Sequence, residues 1–252
     1  MRHYFVDELM PDQDFNAGEF GTRGRKIIQE VLNRKKTPIV VGGSGLYVRS
    51  LIDGLFEGPG ADKGFRERLE VRVKAGEVLH LIEELRRVDP AIAENADPTK
   101  PRRIIRALEV HHMTGKPISD HHRDHRISLP FTPIMFGLAW ARRELYGRIE
   151  RRCDEMIASG FLQEVEELER MGFDRTVNAL NTVGYAEVFA YRSGEISHGE
   201  MIQLFKQNSR RYAKRQLTWF RRDERIQWIH MDEQRVSKEV AAEISRLFNS
   251  GS

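Results

Sequence analysis

A chain of 252 residues, 40% hydrophobic and 31% charged, has room for one large domain or two small ones and the balance of a soluble globular protein. No apolar run is long enough to cross a bilayer and the opening residues do not read as a signal segment, so a cytoplasmic protein is expected; Cys153, the sole cysteine, excludes an internal disulfide. The net charge of +3 is slight, yet arginines and lysines cluster in three places while the acids are spread, which points to a polyanionic partner.

From the start, His3 to Val6 reads as a strand, Leu9 to Phe15 as a loop, and Asn16 as the cap of a helix from Ala17 to about Asn33. Ile39, Val40 and Val41 then form a short apolar run without alternation, closed by Gly42 and Gly43, as expected of a buried parallel strand ending in a tight turn. A helix following at once would leave backbone N–H groups pointed at one spot, where its dipole also favours an anion. Taken alone, GGSG fits a plain strand-turn-helix corner as well.

Leu46 to about Gly54 reads as that short helix, and Gly58-Pro59-Gly60 as a break. Phe65 to Ala75 and Leu79 to Arg87 are charged helices. A third follows Pro101, with Ile104, Ile105, Leu108 and His112 on one face and Gly115 closing it before Pro117. Residues 62–130 therefore read as a helical insertion between two parts of an α/β core, 1–61 and 131–252, with Leu129 to Ala139 a strand that resumes the sheet.

On a helix from Arg143 to Glu169, Leu145, Ile149, Cys153, Met156 and Gly160 make an apolar or small stripe, and Arg152 lies about 60° from its centre. An arginine bordering a buried face needs an anion, either a bound one or a carboxylate of a neighbouring element. The segment Met201 to Arg222 is more basic still. Met201, Phe205, Tyr212, Trp219 and Phe220 line one side, Arg210, Lys214 and Arg221 fall opposite, and Arg211, Arg215 and Arg222 form an adjoining ridge, with no acid between Glu200 and Asp223. Solvated helix faces usually mix signs, so this one suits nucleic acid. His111, His112, His121, His122 and His125 raise the question of a metal, but HHRDH at 121–125 lacks the HExxH spacing and is expected in a solvated polar loop. Gly115-Lys116 is followed by Pro117 and is no Walker A motif.

In order, VDELMPDQDFNAGEF, PIVVGGSGLY, DPTKPRRIIRALEVHHMTGKPIS, RIERRCDEMIASGFLQEVEEL, NTVGYAEV and RRYAKRQLTWFRR resemble the tRNA dimethylallyltransferase family over nearly the whole chain. The resemblance implies a P-loop NTPase-like parallel-sheet α/β core with a helical tRNA-binding insertion. It also implies transfer of a dimethylallyl group from dimethylallyl diphosphate to N6 of an adenosine beside the anticodon. The implied partners are the tRNA anticodon stem-loop and that diphosphate, the implied cofactor is Mg2+, and a monomer is expected. By motif position Arg152 and Ser44 are catalytic, and Gly42, Gly43 and Arg152 meet the diphosphate. Ser44 stands where the family usually has threonine, at the target nucleotide. The tRNA contacts implied are Ser44, Arg66, the run Arg102, Arg103, Ile104, Ile105 and Arg106, and the loop Asn181, Thr182, Val183, Gly184, Tyr185 and Ala186. From the basic helix come Lys214, Arg215, Gln216, Leu217, Thr218, Trp219, Phe220 and Arg221.

The family's GxTxxGKT P-loop and the aspartate of its DSxQxY-like segment, which acts as general base, have no counterpart among the 252 residues. A truncated chain that binds tRNA but transfers poorly is therefore expected, because base and diphosphate cradle each contribute orders of magnitude in rate. A non-catalytic RNA-binding relative is the alternative. A P-loop kinase relative acting on a small molecule would leave the basic helix without a role.

Overall fold

Two units, each with its own core, make up the chain in the computed structural model, which describes every residue except Met1, Glu57, His125, Arg126, Ser128, Gln234, Val236, Gly251 and Ser252. The helical unit covers Asn16–Gly42 and Leu46–Phe131. Its first helix, α1 (Ala17–Asn33), starts where the sequence places it: Asn16 is extended and its side chain accepts the N–H of Glu19, one of the helix's unpaired donors. The next helix, α2 (Gly45–Ile52), lies against α1 because Gly21 and Gly24 carry no side chain there. A Cβ on Gly21 would stand 2.4 Å from Ser50 Oγ, and one on Gly24 2.7 Å from a Leu51 methyl. Arg25 fastens the pair, donating to the Ser50 carbonyl at 2.7 Å.

The rest of this unit is α3 (Lys63–Lys74), α4 (Val78–Val88), α5 (Pro90–Ala93), α6 (Pro101–Thr114) and α7 (Ile118–Asp124). Leu69, Leu81, Leu85, Ile104, Ile105 and Leu108 form their shared core, one stripe from each of the amphipathic helices. Pro101 occupies the first turn of α6 and Gly115 ends it at φ 69°, the left-handed cap the sequence anticipates. Buried Asp89 accepts the N–H of Ile92 at 3.1 Å and of Ser119 at 2.9 Å, joining α5 to α7.

The α/β unit comprises the described residues of Met1–Phe15, Gly43–Gly45 and Thr132–Ser252. In order it contains β1 (Met135–Trp140), α8 (Arg142–Ala158), α9 (Phe161–Arg170), a 3-10 turn at Asn178–Leu180, α10 (Tyr185–Arg192), α11 (His198–Phe220), β2 (Ile226–Met231) and α12 (Ser237–Ser250). The two strands are parallel, in register from Met135 opposite Ile226 to Trp140 opposite Met231. Parallel neighbours need a long crossover, here supplied by α8 to α11, whose core holds Cys153, Phe161, Val165, Val188, Met201 and Phe205. This is the expected α/β class with a small parallel sheet. Among the described residues no helix is long and apolar enough to cross a membrane.

Several expected elements differ. Ile39, Val40 and Val41 are not a buried strand: they are 72%, 51% and 91% exposed, and among the described residues the sheet consists of β1 and β2. An apolar run becomes a buried strand only where neighbours take up its N–H and C=O groups. His3 to Val6 is no strand either, since Phe5 and Asp7 sit in the left-handed region at φ 62° and 54°. The strand expected from Leu129 begins at Met135, beyond Pro130 and Pro133, which lack the N–H a ladder needs. The helix expected from Arg143 to Glu169 is two, broken at Gly160 with φ 102°, so Gly160 leaves the stripe assigned to it. HHRDH does not begin in a loop, as His121 and His122 belong to α7; His125 lies outside the described residues. Nothing in the sequence reading anticipates β2, a strand of only six residues.

Gly21→Ala tests the α1–α2 contact with a reversal of sign. On a free helix face the change gains about 1 kcal/mol, whereas here the added methyl overpacks Ser50 and is expected to cost about 1–3 kcal/mol in urea denaturation.

Candidate nucleic-acid interface

Helix α11 carries the site, and its two halves differ. It opens with a reciprocal cap, Ser197 Oγ accepting the Glu200 N–H and Glu200 accepting the Ser197 N–H at 2.8 Å. Its first half is anchored: Met201 and Phe205 are buried, Lys206 pairs with Asp154 at 2.6 Å, and Arg210 pairs with Glu150, both acids on α8. Arg210 therefore belongs to the helix packing and not to the open cationic ridge expected of it. The second half leaves the core, so that Tyr212 and Trp219 are 43% and 39% exposed and the expected apolar side is buried only over its first turns. Here the cations are open. Arg211 donates to Asn208 Oδ1 at 3.3 Å and Arg215 lies 5.6 Å from the Tyr212 ring centre, while Lys214, Arg221 and Arg222 are exposed with no ion pair among the described residues. Thr218 turns its hydroxyl back onto the Lys214 carbonyl, and Leu217 and Phe220 are half-buried.

Two loops are braced on this helix. Gln216 donates its side-chain N–H to the Gly43 carbonyl at 2.7 Å. A Cβ on Gly43 would stand 2.2 Å from that nitrogen and displace the Gln216 amide, and one on Gly45 would stand 2.1 Å from Trp219 Cδ1, so a side chain at either position would disturb this approach. Ser44, between them, is exposed at the start of α2, and Gly42 has open space around its Cα. The GGSG turn is thus a turn held by α11, with an exposed hydroxyl at its lip.

The second loop runs from Asn181 to Ala186. Asn181 donates to the Arg175 carbonyl at 2.7 Å, Thr182 to that of Ala179 at 3.4 Å, and both are exposed, as is Ala186. Val183 is half-buried against the core. Gly184 takes φ 101°, with Phe161 and Phe205 each 3.1 Å from where a Cβ would be. Buried Glu187 accepts the Gly184 N–H at 2.6 Å with one oxygen and the Asn208 side-chain N–H at 2.7 Å with the other. A continuous path of hydrogen bonds therefore joins the loop backbone to Arg211. Glu187 and Asn208 were not read as site residues; the signal for Glu187 was its place three residues after Gly184, the capping-box spacing. Tyr185 donates to Glu164, and burial, then that carboxylate, pushes its hydroxyl up to about 12.

Arg152 departs from its expected setting. It is exposed, with no hydrogen bond or ion pair among the described residues, so no desolvation forces an anion on it. Its neighbour Cys153 faces α11 instead, with Sγ 3.6 Å from Ser209 Oγ and burial raising the thiol's pKa. Arg152 is an open cation on α8, the helix packed against α11.

Within the helical unit, Arg102 and Arg103 are exposed, whereas Ile104 and Ile105 are 2% and 5% exposed. The two isoleucines thus seat α6 in the core and have almost no side-chain surface to offer a ligand. Arg66 and Arg106 converge on the fully buried carboxylate of Glu109. Burial pushes that carboxyl up, but the two guanidinium groups and the Asp62 N–H outweigh it and hold it below the usual range. Among the described residues no group of three His, Cys, Asp or Glu side chains could hold a metal; His112 and His121 are stacked on Phe65 and Phe56.

A model of the IPP transferase family matches residues 1–223. The chain belongs to the IPP transferase family. It is 42% identical over 245 residues to a tRNA dimethylallyltransferase of Pelotomaculum thermopropionicum, covering 97% of this chain and 78% of that one. It is 41% identical to that of Acetivibrio thermocellus, covering 92% and 75%. Among solved structures, the tRNA isopentenylpyrophosphate transferase of Bacillus halodurans superposes with a TM-score of 0.68 at 34% identity, over 98% of this chain and 77% of that one. A eukaryotic dimethylallyltransferase solved acting on tRNA shares the fold, with a TM-score of 0.72 at 23% identity over 98% and 65% of the two chains.

In this IPP transferase chain, Gln216→Glu places a carboxylate against the Gly43 carbonyl and removes the donor. Amide exchange at Gly43, Ser44 and Gly45 is expected to quicken about 5–10-fold, a little more than one net hydrogen bond, while Val188 and Phe189 stay protected. Tyr185 gives a second check. Its folded pKa lies above the value near 10 of a free tyrosine, so its contribution to stability is complete below 10 and is lost as pH rises through about 12. Ultraviolet titration should show one late-ionising tyrosine, absent from Tyr185→Phe.

Proposed function

We propose that this chain serves the transfer of a dimethylallyl group from dimethylallyl diphosphate to N6 of an adenosine beside the tRNA anticodon. In that reaction the C–O bond to the diphosphate breaks with its electron pair, the N6–C bond forms, and N6 gives up a proton. The observation that carries the reading is α11: its open half has cations with no acid among them and braces the GGSG turn through Gln216, and its anchored half braces the 181–187 loop through Asn208. The tRNA dimethylallyltransferase relatives at about two-fifths identity support it. In this reading Lys214, Arg215 and Arg221 hold the RNA backbone, Ser44 faces the target nucleotide, and Arg152 with the Gly42-Gly43 turn meets the diphosphate.

The same reading carries Mg2+ as the counter-ion of the diphosphate, and a cytoplasmic monomer. Because the residues described form no metal-ligand cluster, no step is assigned to the ion. The 252 residues contain neither the P-loop lysine nor the aspartate base of the family pattern, so by themselves they are expected to bind tRNA and transfer slowly.

A binding and transfer experiment tests this. The 252-residue chain should bind an unmodified anticodon stem-loop with affinity that falls steeply with salt, and Lys214→Ala with Arg221→Ala should flatten the salt slope by about two. Prenyl transfer at the rate of a relative possessing the P-loop would refute the slow-transfer part, and salt-indifferent behaviour toward tRNA would refute the whole.

A further inference from the structure

Glu109 on α6 is given no part in the reading above, yet both arginines it holds stand among the tRNA contacts that the family resemblance implies. Its carboxylate is fully buried and accepts four hydrogen bonds. Oε1 takes the Asp62 N–H at 2.9 Å and Arg66 Nε at 2.7 Å; Oε2 takes Arg66 Nη2 at 2.8 Å and Arg106 Nη1 at 2.7 Å. That fills the lone-pair positions of a carboxylate. Arg106 Nη2 also donates to the Pro59 carbonyl at 3.2 Å, fixing the second guanidinium twice over.

Sharing Oε2 sets the two guanidinium groups side by side, where without the acid they would repel. Each still reaches solvent, the side chains being 40% exposed for Arg66 and 33% for Arg106. Two cations on one anion leave this trio with one positive charge in excess, beside the carboxylates of Glu70 and Asp62, and one turn earlier on α6 stand Arg102 and Arg103, exposed and without an ion pair among the described residues. A fork that is already oriented loses little rotamer freedom when it meets a phosphate.

We propose that Glu109 is a positioning residue that presents Arg66 and Arg106 as a paired guanidinium clamp for a phosphate of the RNA backbone. This rests on the tRNA-binding reading, and the two can fail separately. An unmodified anticodon stem-loop is titrated against the full chain and its Glu109→Gln and Arg66→Lys variants across a salt series. The temperature is one at which circular dichroism gives all three the same helix content. By charge alone, removing an acid tightens binding to a polyanion; loss of the clamp weakens it. Glu109→Gln is expected to bind roughly tenfold more weakly, the equivalent of one charge-assisted hydrogen bond, with a salt slope shallower by about one. Arg66→Lys, which keeps the charge but not the fork, should weaken binding likewise. Equal or tighter binding by folded Glu109→Gln overturns the clamp, and where that variant does not fold, unchanged affinity of Arg66→Lys does so. Absence of salt-dependent binding by the unaltered chain removes the tRNA reading and the clamp with it.

Discussion

The approach of the GGSG turn to α11 is the constraint on which the candidate interface depends. A β-carbon at Gly45 would fall 2.1 Å from the Trp219 ring, far inside contact distance, and one at Gly43 would fall 2.2 Å from the amide end of Gln216 and push it off its hydrogen bond, so the turn as it stands uses glycine at both positions. Gln216 then closes a hydrogen bond to Gly43 across 173 residues of sequence. Neither feature stabilises much alone, since one net hydrogen bond contributes about 1 kcal/mol. Together they determine where Ser44 stands. A hydroxyl on a free loop would have to be ordered at each encounter, and this one is ordered by the fold.

The distribution of charge follows a related division of labour. Along α11, Lys206 and Arg210 are neutralised by Asp154 and Glu150 of α8, and beyond Arg211 no carboxylate follows until Asp223. Partly exposed ion pairs of this kind contribute about 1 kcal/mol or less, so their main effect is to set the helix's orientation. The open cations past that point repel one another, and among the described residues none of them forms an ion pair. A cluster that costs stability in the free protein is accounted for by a polyanion that neutralises it. Glu109 shows the same division in the helical unit, neutralising one of two arginines and leaving the pair positive.

What could be read from the sequence was local. Asn16 at the start of α1 and Gly115 before Pro117 at the end of α6 are signals that act within one turn, and the helix ends they mark lie where expected; the Ser197–Glu200 cap, which starts α11 three residues ahead of the expected Met201, is not among the signals read. What could not be read depends on partners elsewhere in the chain. Ile39 to Val41 has the composition of a buried strand, but burial of a strand is conferred by its neighbours. Arg152 was placed beside a buried stripe by helical arithmetic. Cys153 does turn inward as that arithmetic requires, yet the adjoining position opens to solvent, because helical phase fixes direction and not the width of what covers it. Glu109 carries no signal of its own in the sequence, because its partner Arg66 comes to it from 43 residues away.

The candidate site also has a chemical logic within these limits. An exocyclic amine on adenine is a weak nucleophile, and an allylic diphosphate reacts through charge leaving on its phosphates, so the reaction depends on alignment and on stabilising that charge. In the proposed reading, Ser44 on a braced turn and the 181–187 loop tied through Glu187 and Asn208 to Arg211 are the parts that would supply alignment. Arg152, exposed and without an ion pair among the described residues, is in the same reading a cation that would meet a phosphate without first breaking an internal salt bridge. The two loops are, in that reading, organised before any ligand arrives, so the conformational cost of ordering them is met in folding against α11.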